Sequence, residues 1–238
     1  DERQGKEQDY TRKSGVEFKK IYAPIHTDQQ LLERNQLWNA VEKIETRKNS
    51  QLAREFEIAF PCELKQDQRE QLLNDLCEKI VKRHNVIVDA AIHAPHTAIG
   101  SDERNYHAHI LLTTRSINDH GQLEKKTREF NDHGKEQIEY WREEFANLCN
   151  YHLKLAGSVE RVDHRSYKAR GSELEPTQHE GPKATQLKRQ GIATEITIKN
   201  ENIRLRNIDR LIEMQLDQQI CASENFVDQI KKEISIKK

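Results

Sequence analysis

The residues best suited to chemistry are histidines. Four of the chain's eleven fall within seventeen positions of the stretch AIHAPHTAIGSDERNYHAHILLTTR, residues 91–115, and two of them, His107 and His109, flank one alanine. On a strand, residues two apart point to the same face, about 6.5 to 7 Å apart along the chain. His107 and His109 therefore present both imidazoles on one face, while Ala108, Ile110 and Leu112 suit the buried side. A third imidazole from a neighbouring strand would complete a ligand set, and His93, ending the preceding apolar run, is the candidate. Three imidazoles leave coordination positions open, the mark of a catalytic rather than a structural metal. Imidazole suits Zn, Cu, Fe and Ni and does not exclude Mn. The bland alternative stays open here: HxH arises by chance, and two half-exposed strand histidines need no ligand. His96 follows Pro95 in a loop as a competing donor, and His120 and His133, both in DHG, read as turn residues.

The elements that must position this trio follow from periodicity. VIVDAAIHA reads as one strand and YHAHILLTTR as the next, antiparallel because the loop between them is too short for a parallel crossover. LAREFEIAFP is a strand with Leu52, Arg54, Phe56, Ile58 and Phe60 on one face and Ala53, Glu55, Glu57 and Ala59 on the other. VEFKKIYAP holds a further strand. Apolar residues at threes and fours predict a helix from Asp28, its N-cap, toward TRKNS, a second over 66–84 and a third over 134–156, closed by Gly157. VERVDHRSYKARG reads as a short strand and a turn, ELEPTQHEGPKAT as a loop, and 199–235 as a highly charged helix with a thin apolar stripe. The fold class expected is α+β, an antiparallel sheet flanked by helices with a helical C-terminal extension.

Composition narrows the classes. Of 238 residues, 33% are charged and 34% hydrophobic, which leaves a modest core and solvated helices or tails. The formal net charge is −1, so any polyanion contact must be a local patch such as TRKNSQLAR rather than a basic whole. No apolar run approaches the roughly 18 residues that span a bilayer. Cys62, Cys77, Cys149 and Cys221 are far apart and form no CxxC, as in a cytoplasmic protein with reduced thiols.

NYHAHILLTTR resembles the histidine–hydrophobe–histidine motif of the HUH endonucleases. Together with RKNSQLAREFEIAFP, RVDHRSYKARG and LEPTQHEGPKAT it looks like the MobA/MobL family of plasmid mobilisation relaxases, the MOBQ class, over most of residues 1–190. The resemblance implies a relaxase-like catalytic domain at 1–190 and a charged helical extension at 191–238. It implies nicking of one DNA strand at a plasmid's origin of transfer, with a tyrosine hydroxyl attacking the phosphodiester to leave a 5′-phosphotyrosyl link and a free 3′-OH. It further implies a divalent metal ion (Mg, Mn, Ni or Zn) held by His93, His107 and His109. Glu55 matches an acidic position that orients a ligand histidine or takes the tyrosine proton. Arg47, Lys48, Arg54 and Arg115 are candidate phosphate contacts. The implied partners are single-stranded plasmid DNA at the origin of transfer, relaxosome accessory proteins and a type IV secretion coupling protein, with passage from the donor cytoplasm to the recipient cell.

The family's nucleophile lies in a segment like AAYRSGE, expected upstream of Asp1, and Tyr10 is the fallback. The chain is therefore expected to bind metal without nicking. Competing readings are a replication-initiator nickase of the same superfamily, a three-histidine metal hydrolase of small substrates, and a DNA-binding module whose histidines are structural. Salt-dependent binding to single strands separates the small-substrate hydrolase from the others.

Overall fold

The computed structural model describes residues 15–47, 49–95 and 102–236; Tyr10, Lys48 and His96 lie outside them. The chain divides into two compact units, Asp1–His164 and Arg165–Lys238.

The first unit contains strands β1 (Val16–Tyr22), β2 (Ala53–Ala59), β3 (Val88–His93), β4 (His107–Thr113), β5 (Arg115–Ile117) and β6 (Leu123–Lys126), with helices α1 (Arg34–Ile44), α2 (Gln66–His84), α3 (Glu129–Asp132) and α4 (Gly134–Leu155). β1 to β4 form one antiparallel sheet in the order β1-β3-β4-β2, so the two histidine-bearing strands are its central pair. Strand alternation then splits the sheet into two chemically different faces. Ala90, Ile92, Ala108, Ile110 and Leu112 point into a core closed by Leu72, Leu73 and Leu76 of α2 and by Trp141, Cys149 and Leu153 of α4. Burying each leucine of this kind contributes about 1.5 to 3 kcal/mol.

The other face carries Asp89, Ala91, His93, His107 and His109. α1 packs at its Asp89 end: Arg34 Nε and Trp38 Nε1 both donate to Asp89 Oδ2, at 2.8 and 2.9 Å. Leu37 and Val41 bury against Ile87 and Ile117 there. Helices thus flank both faces of the antiparallel sheet, and the α+β class holds.

Three expectations change in this unit, and a fourth in the second unit, where a helix begins at Gly181 inside the expected loop ELEPTQHEGPKAT. Asp28 caps a 3-10 turn, Gln29–Leu32, rather than α1 itself, accepting from the Gln30 amide at 3.0 Å. β5 and β6 form a hairpin around the turn that holds His120, where no strands were expected. Its turn ends at Gly121, whose positive φ and close approach to the His26 carbonyl leave no room for a Cβ. The strand expected in VERVDHRSYKARG does not form. Asn150 of α4 takes both backbone groups of Val162, each at 2.9 Å, and a 3-10 turn follows at Lys168–Arg170.

The second unit holds α5 (Gly181–Arg189) and α6 (Glu195–Ile236). Pro182 opens α5, where its missing N–H removes no hydrogen bond. An extended segment has no ladder of its own, so its backbone groups need side-chain partners. Asn200 and Asn207 of α6 supply them, each clasping the N–H or C=O groups of Gln178 and Glu175 at 2.8 to 2.9 Å. All four cysteines are free, and among the described residues no helix is long and apolar enough to cross a membrane.

Candidate metal centre

The antiparallel registers bring the histidines together. His93 faces His107 across the β3–β4 pair, and Ala91 faces His109. All three imidazoles are half-buried on one face, with ring centroids 5.0 to 5.4 Å apart. One ring nitrogen from each lies within 4.8 Å of the others, so the set can hold a metal ion. Among the described residues no other cluster of histidine, cysteine or carboxylate side chains does so.

Two of the rings are fixed in orientation. His109 Nδ1 lies 2.6 Å from Glu55 Oε1. A carboxylate only accepts, so the proton sits on Nδ1 and the Nε2 lone pair is left for a ligand bond. His107 Nδ1 lies 3.1 Å from the Asn105 carbonyl oxygen, which imposes the same tautomer. An imidazole held through its second nitrogen by a carboxylate or a carbonyl is the usual support of a metal-binding histidine. Glu55 reaches His109 on the diagonal, because Glu55 itself pairs with Leu111. The residue directly across from His109 is Glu57, on the same face. Glu57 was not among the expected site residues, although strand alternation places it on the same face as Glu55.

The cationic candidates go elsewhere. Arg54 shares a face with Phe56 and Ile58, opposite the histidines. Its guanidinium donates to Thr127 Oγ1 at 3.2 Å and to Asn131 Oδ1 at 2.6 Å, and lies over the Phe130 ring. Arg115 lies beyond the C-terminal end of β4, past a bend at Thr114. There it bonds Glu45 at 2.8 Å, and Lys126 reaches the same carboxylate at 2.8 Å. Burial alone would raise the Glu45 pKa, but Lys126 and Arg115 hold it below its ordinary value. Exposed Arg47 lines a cleft of about 460 Å³ with Arg115 and Lys126. Arg47 and Arg115 are therefore brought together, away from the trio.

Three tyrosines of this unit are engaged. Tyr22 donates to Asn74 at 2.7 Å, and burial pushes its pKa far up. Tyr106 lies under the Arg69 guanidinium, and Tyr140 under that of Arg83.

A model of the MobA/MobL family matches residues 1–190. The chain belongs to the MobA/MobL family. It is 33% identical to the mobilization protein MobL of Acidithiobacillus ferridurans, over 79% of this chain and 56% of that one. It is 28% identical to the conjugal transfer protein TraA of Agrobacterium fabrum, over 89% of this chain and 22% of that one. To the 43 kDa relaxation protein of Salmonella typhimurium it is 34% identical, over 59% and 42% of the two chains. It spans about half, or less, of the length of these curated relatives. A structure solved for the molecular basis of vancomycin resistance transfer in Staphylococcus aureus superposes with a TM-score of 0.56 at 32% identity, covering 64% of this chain and 77% of that one. For a MobA/MobL chain the HxH pair, the third histidine and the supporting carboxylate thus lie on a fold shared with a solved relative.

Proposed function

We propose that this MobA/MobL chain carries the metal-binding half of a relaxase site, which nicks and rejoins one DNA strand at a plasmid's origin of transfer. The observation that carries the reading is the convergence of His93, His107 and His109 on one sheet face, with two rings held through Nδ1. A divalent ion bound there would neutralise charge on the non-bridging oxygens of a phosphodiester, the main demand of phosphoryl transfer. The three histidines would hold the ion. Glu55 and the Asn105 carbonyl keep two of them in the ligand tautomer, so no reorganisation accompanies reaction.

The attacking group is a tyrosine hydroxyl outside the described residues. Its oxygen loses its proton to solvent and bonds to phosphorus, the bond from phosphorus to the 3′ oxygen breaks, and the leaving oxygen takes one proton from solvent to become a 3′-OH. The phosphotyrosyl bond retains the energy of the bond broken, so reversal rejoins the strand without a nucleotide cofactor. The partners are single-stranded origin DNA, relaxosome accessory proteins and a type IV secretion coupling protein, and the site of nicking is the donor cytoplasm.

The test is incubation with a single-stranded oligonucleotide spanning the plasmid's own origin and Mn²⁺. The expected product, from protein that carries the family's nucleophile segment, is a covalent protein–DNA adduct, located by peptide mass spectrometry on a tyrosine outside the described residues. Adduct formation that is undiminished in EDTA, or in His109→Ala, overturns the metal-assisted reading.

A further inference from the structure

The long last helix carries an apolar pattern and a charge pattern that its own unit uses only in part. Leu205, Ile208, Ile212, Leu216, Ile220 and Val227 of α6 are each 48% to 57% exposed. At 100° per residue they fall within a stripe about 120° wide. The sector is apolar apart from Glu201, Asn202, Asp209, Gln219 and Ser223, and the buried Asn200 and Ile203 lie on the opposite side of the helix. A run of half-exposed aliphatic side chains on this scale marks an association surface.

The charges supply the partner. Lys199, Arg206, Arg210, Glu213, Asp217 and Glu224 all lie along one flank of the stripe, within a sector about 60° wide. Among these six the cations occupy the N-terminal half and the acids the C-terminal half; Glu195, at the N-terminal end of the same sector, is an exception. Glu175 bonds both Arg206 and Arg210, at 2.7 and 2.9 Å, so one carboxylate serves two guanidiniums. Among the described residues Glu213, Asp217 and Glu224 have no ion-pair partner.

We propose that α6 pairs with α6 of a second copy of this chain, antiparallel, about a two-fold axis at Ile212. In that arrangement Ile212 meets its own copy, Ile208 meets Leu216, and Ile198 meets Phe226. In the same register, one residue offset, Lys199 faces Glu224, Arg206 faces Asp217, and Arg210 faces Glu213. Only the antiparallel sense does this. An isologous two-fold contact sets a flank against the same flank of its copy. A parallel pair would set the charged flank against the opposite one, which between 199 and 224 offers Leu211, Gln215, Gln218, Ala222 and only one charge, Arg204. Two independent patterns, apolar and ionic, therefore select one register. The inference does not depend on the nicking reading.

Sedimentation equilibrium of the full chain is the experiment. A dimer is expected at tens of micromolar, and Ile212→Asp, which alters the axis twice over in an exposed position, should weaken it more than about tenfold. Lys199→Glu alone and Glu224→Lys alone should each weaken it by roughly fivefold, and the two together should restore it. Ser223→Cys lies on the stripe far from the axis, so air oxidation should leave its chains unlinked. A monomer at all concentrations, an unaffected Ile212→Asp dimer, failure of the charge swap to restore, or a disulfide through Ser223→Cys each overturn the proposal.

Discussion

The first unit holds histidines in two opposite ways. His107 and His109 sit half-buried on the sheet face away from α2 and α4, each with Nδ1 committed to an acceptor. His84, at the end of α2, sits in the helix-covered core with 2% of its side chain exposed. There Trp141 Nε1–H donates to His84 Nε2 at 3.0 Å, and the ring packs against Phe130 and Trp141. The supporting bond of the sheet histidines comes from an acceptor, which leaves a lone pair pointing at its neighbours. The bond to His84 comes from a donor, which consumes that lone pair. Burial alone does not separate a ligand from a core histidine; the polarity of the partner on the second nitrogen does.

The largest way to break the contrast is to take one histidine from each group. His109→Ala leaves two imidazoles and orphans Glu55. Its affinity for Mn²⁺ or Zn²⁺ should fall by more than about 100-fold in calorimetric titration, beyond the loss typical of a supporting residue. Fold stability without metal should change little, because the side chain is not in the core. His84→Ala should do the reverse. It leaves a cavity beside Phe130 and an unbonded Trp141 N–H, together worth about 2 to 4 kcal/mol in urea unfolding. Metal affinity should stay within about twofold of the wild type. Loss of metal binding in His84→Ala would break the comparison.

The trio was legible because every step to it was local. Period-two alternation paired His107 with His109, and a short return brought in His93. Glu55 came from the family resemblance; the alternation of its own strand only put it, with Glu57, on one face. The same alternation puts Arg54 on the far face, so its separation from the trio is written in the strand pattern itself. What the pattern could not show was the partner, since Thr127 and Asn131 lie more than seventy positions away. Arg115 is similar: its carboxylate, Glu45, comes from the end of a helix remote in sequence. The β5–β6 hairpin escaped because strands of three and four residues in SINDHGQLEKK carry almost no apolar period. α5 escaped because Gly181 and Pro182 read as breakers, whereas proline in a first turn starts a helix.

A smaller effect sharpens the metal side. Glu55 has no role in packing, with half of its side chain exposed. Glu55→Ala should lower metal affinity by about tenfold, because His109 loses the bond that fixes its tautomer. Glu55→Gln keeps an acceptor and loses the charge, and should fall between the two. Equal affinity in all three forms would mean that the carboxylate does not act through His109.

The smallest effect concerns protons on the core histidine. Burial, opposed by Glu129 and reinforced by Arg83 and Arg54, holds the His84 pKa below its ordinary value. Geometry agrees, since a protonated Nε2 would face the Trp141 N–H. In the unfolded chain the ring titrates near pH 6.5. The unfolded state therefore binds the extra proton first as pH drops. The stabilisation due to neutral His84 is complete above about pH 6.5 and is lost progressively below it, down to the lower folded pKa. One proton limits the slope to about 1.4 kcal/mol per pH unit. Other groups titrate in the same range, so the observable is a difference: stability of wild type minus that of His84→Gln. The glutamine oxygen can still accept from Trp141 and has no proton to gain. That difference should be flat from pH 8 to pH 7 and shrink toward pH 5. A difference that grows on acidification would mean that His84 is charged in the native core, paired with Glu129 at 3.6 Å, and that the donor from Trp141 does not fix its state.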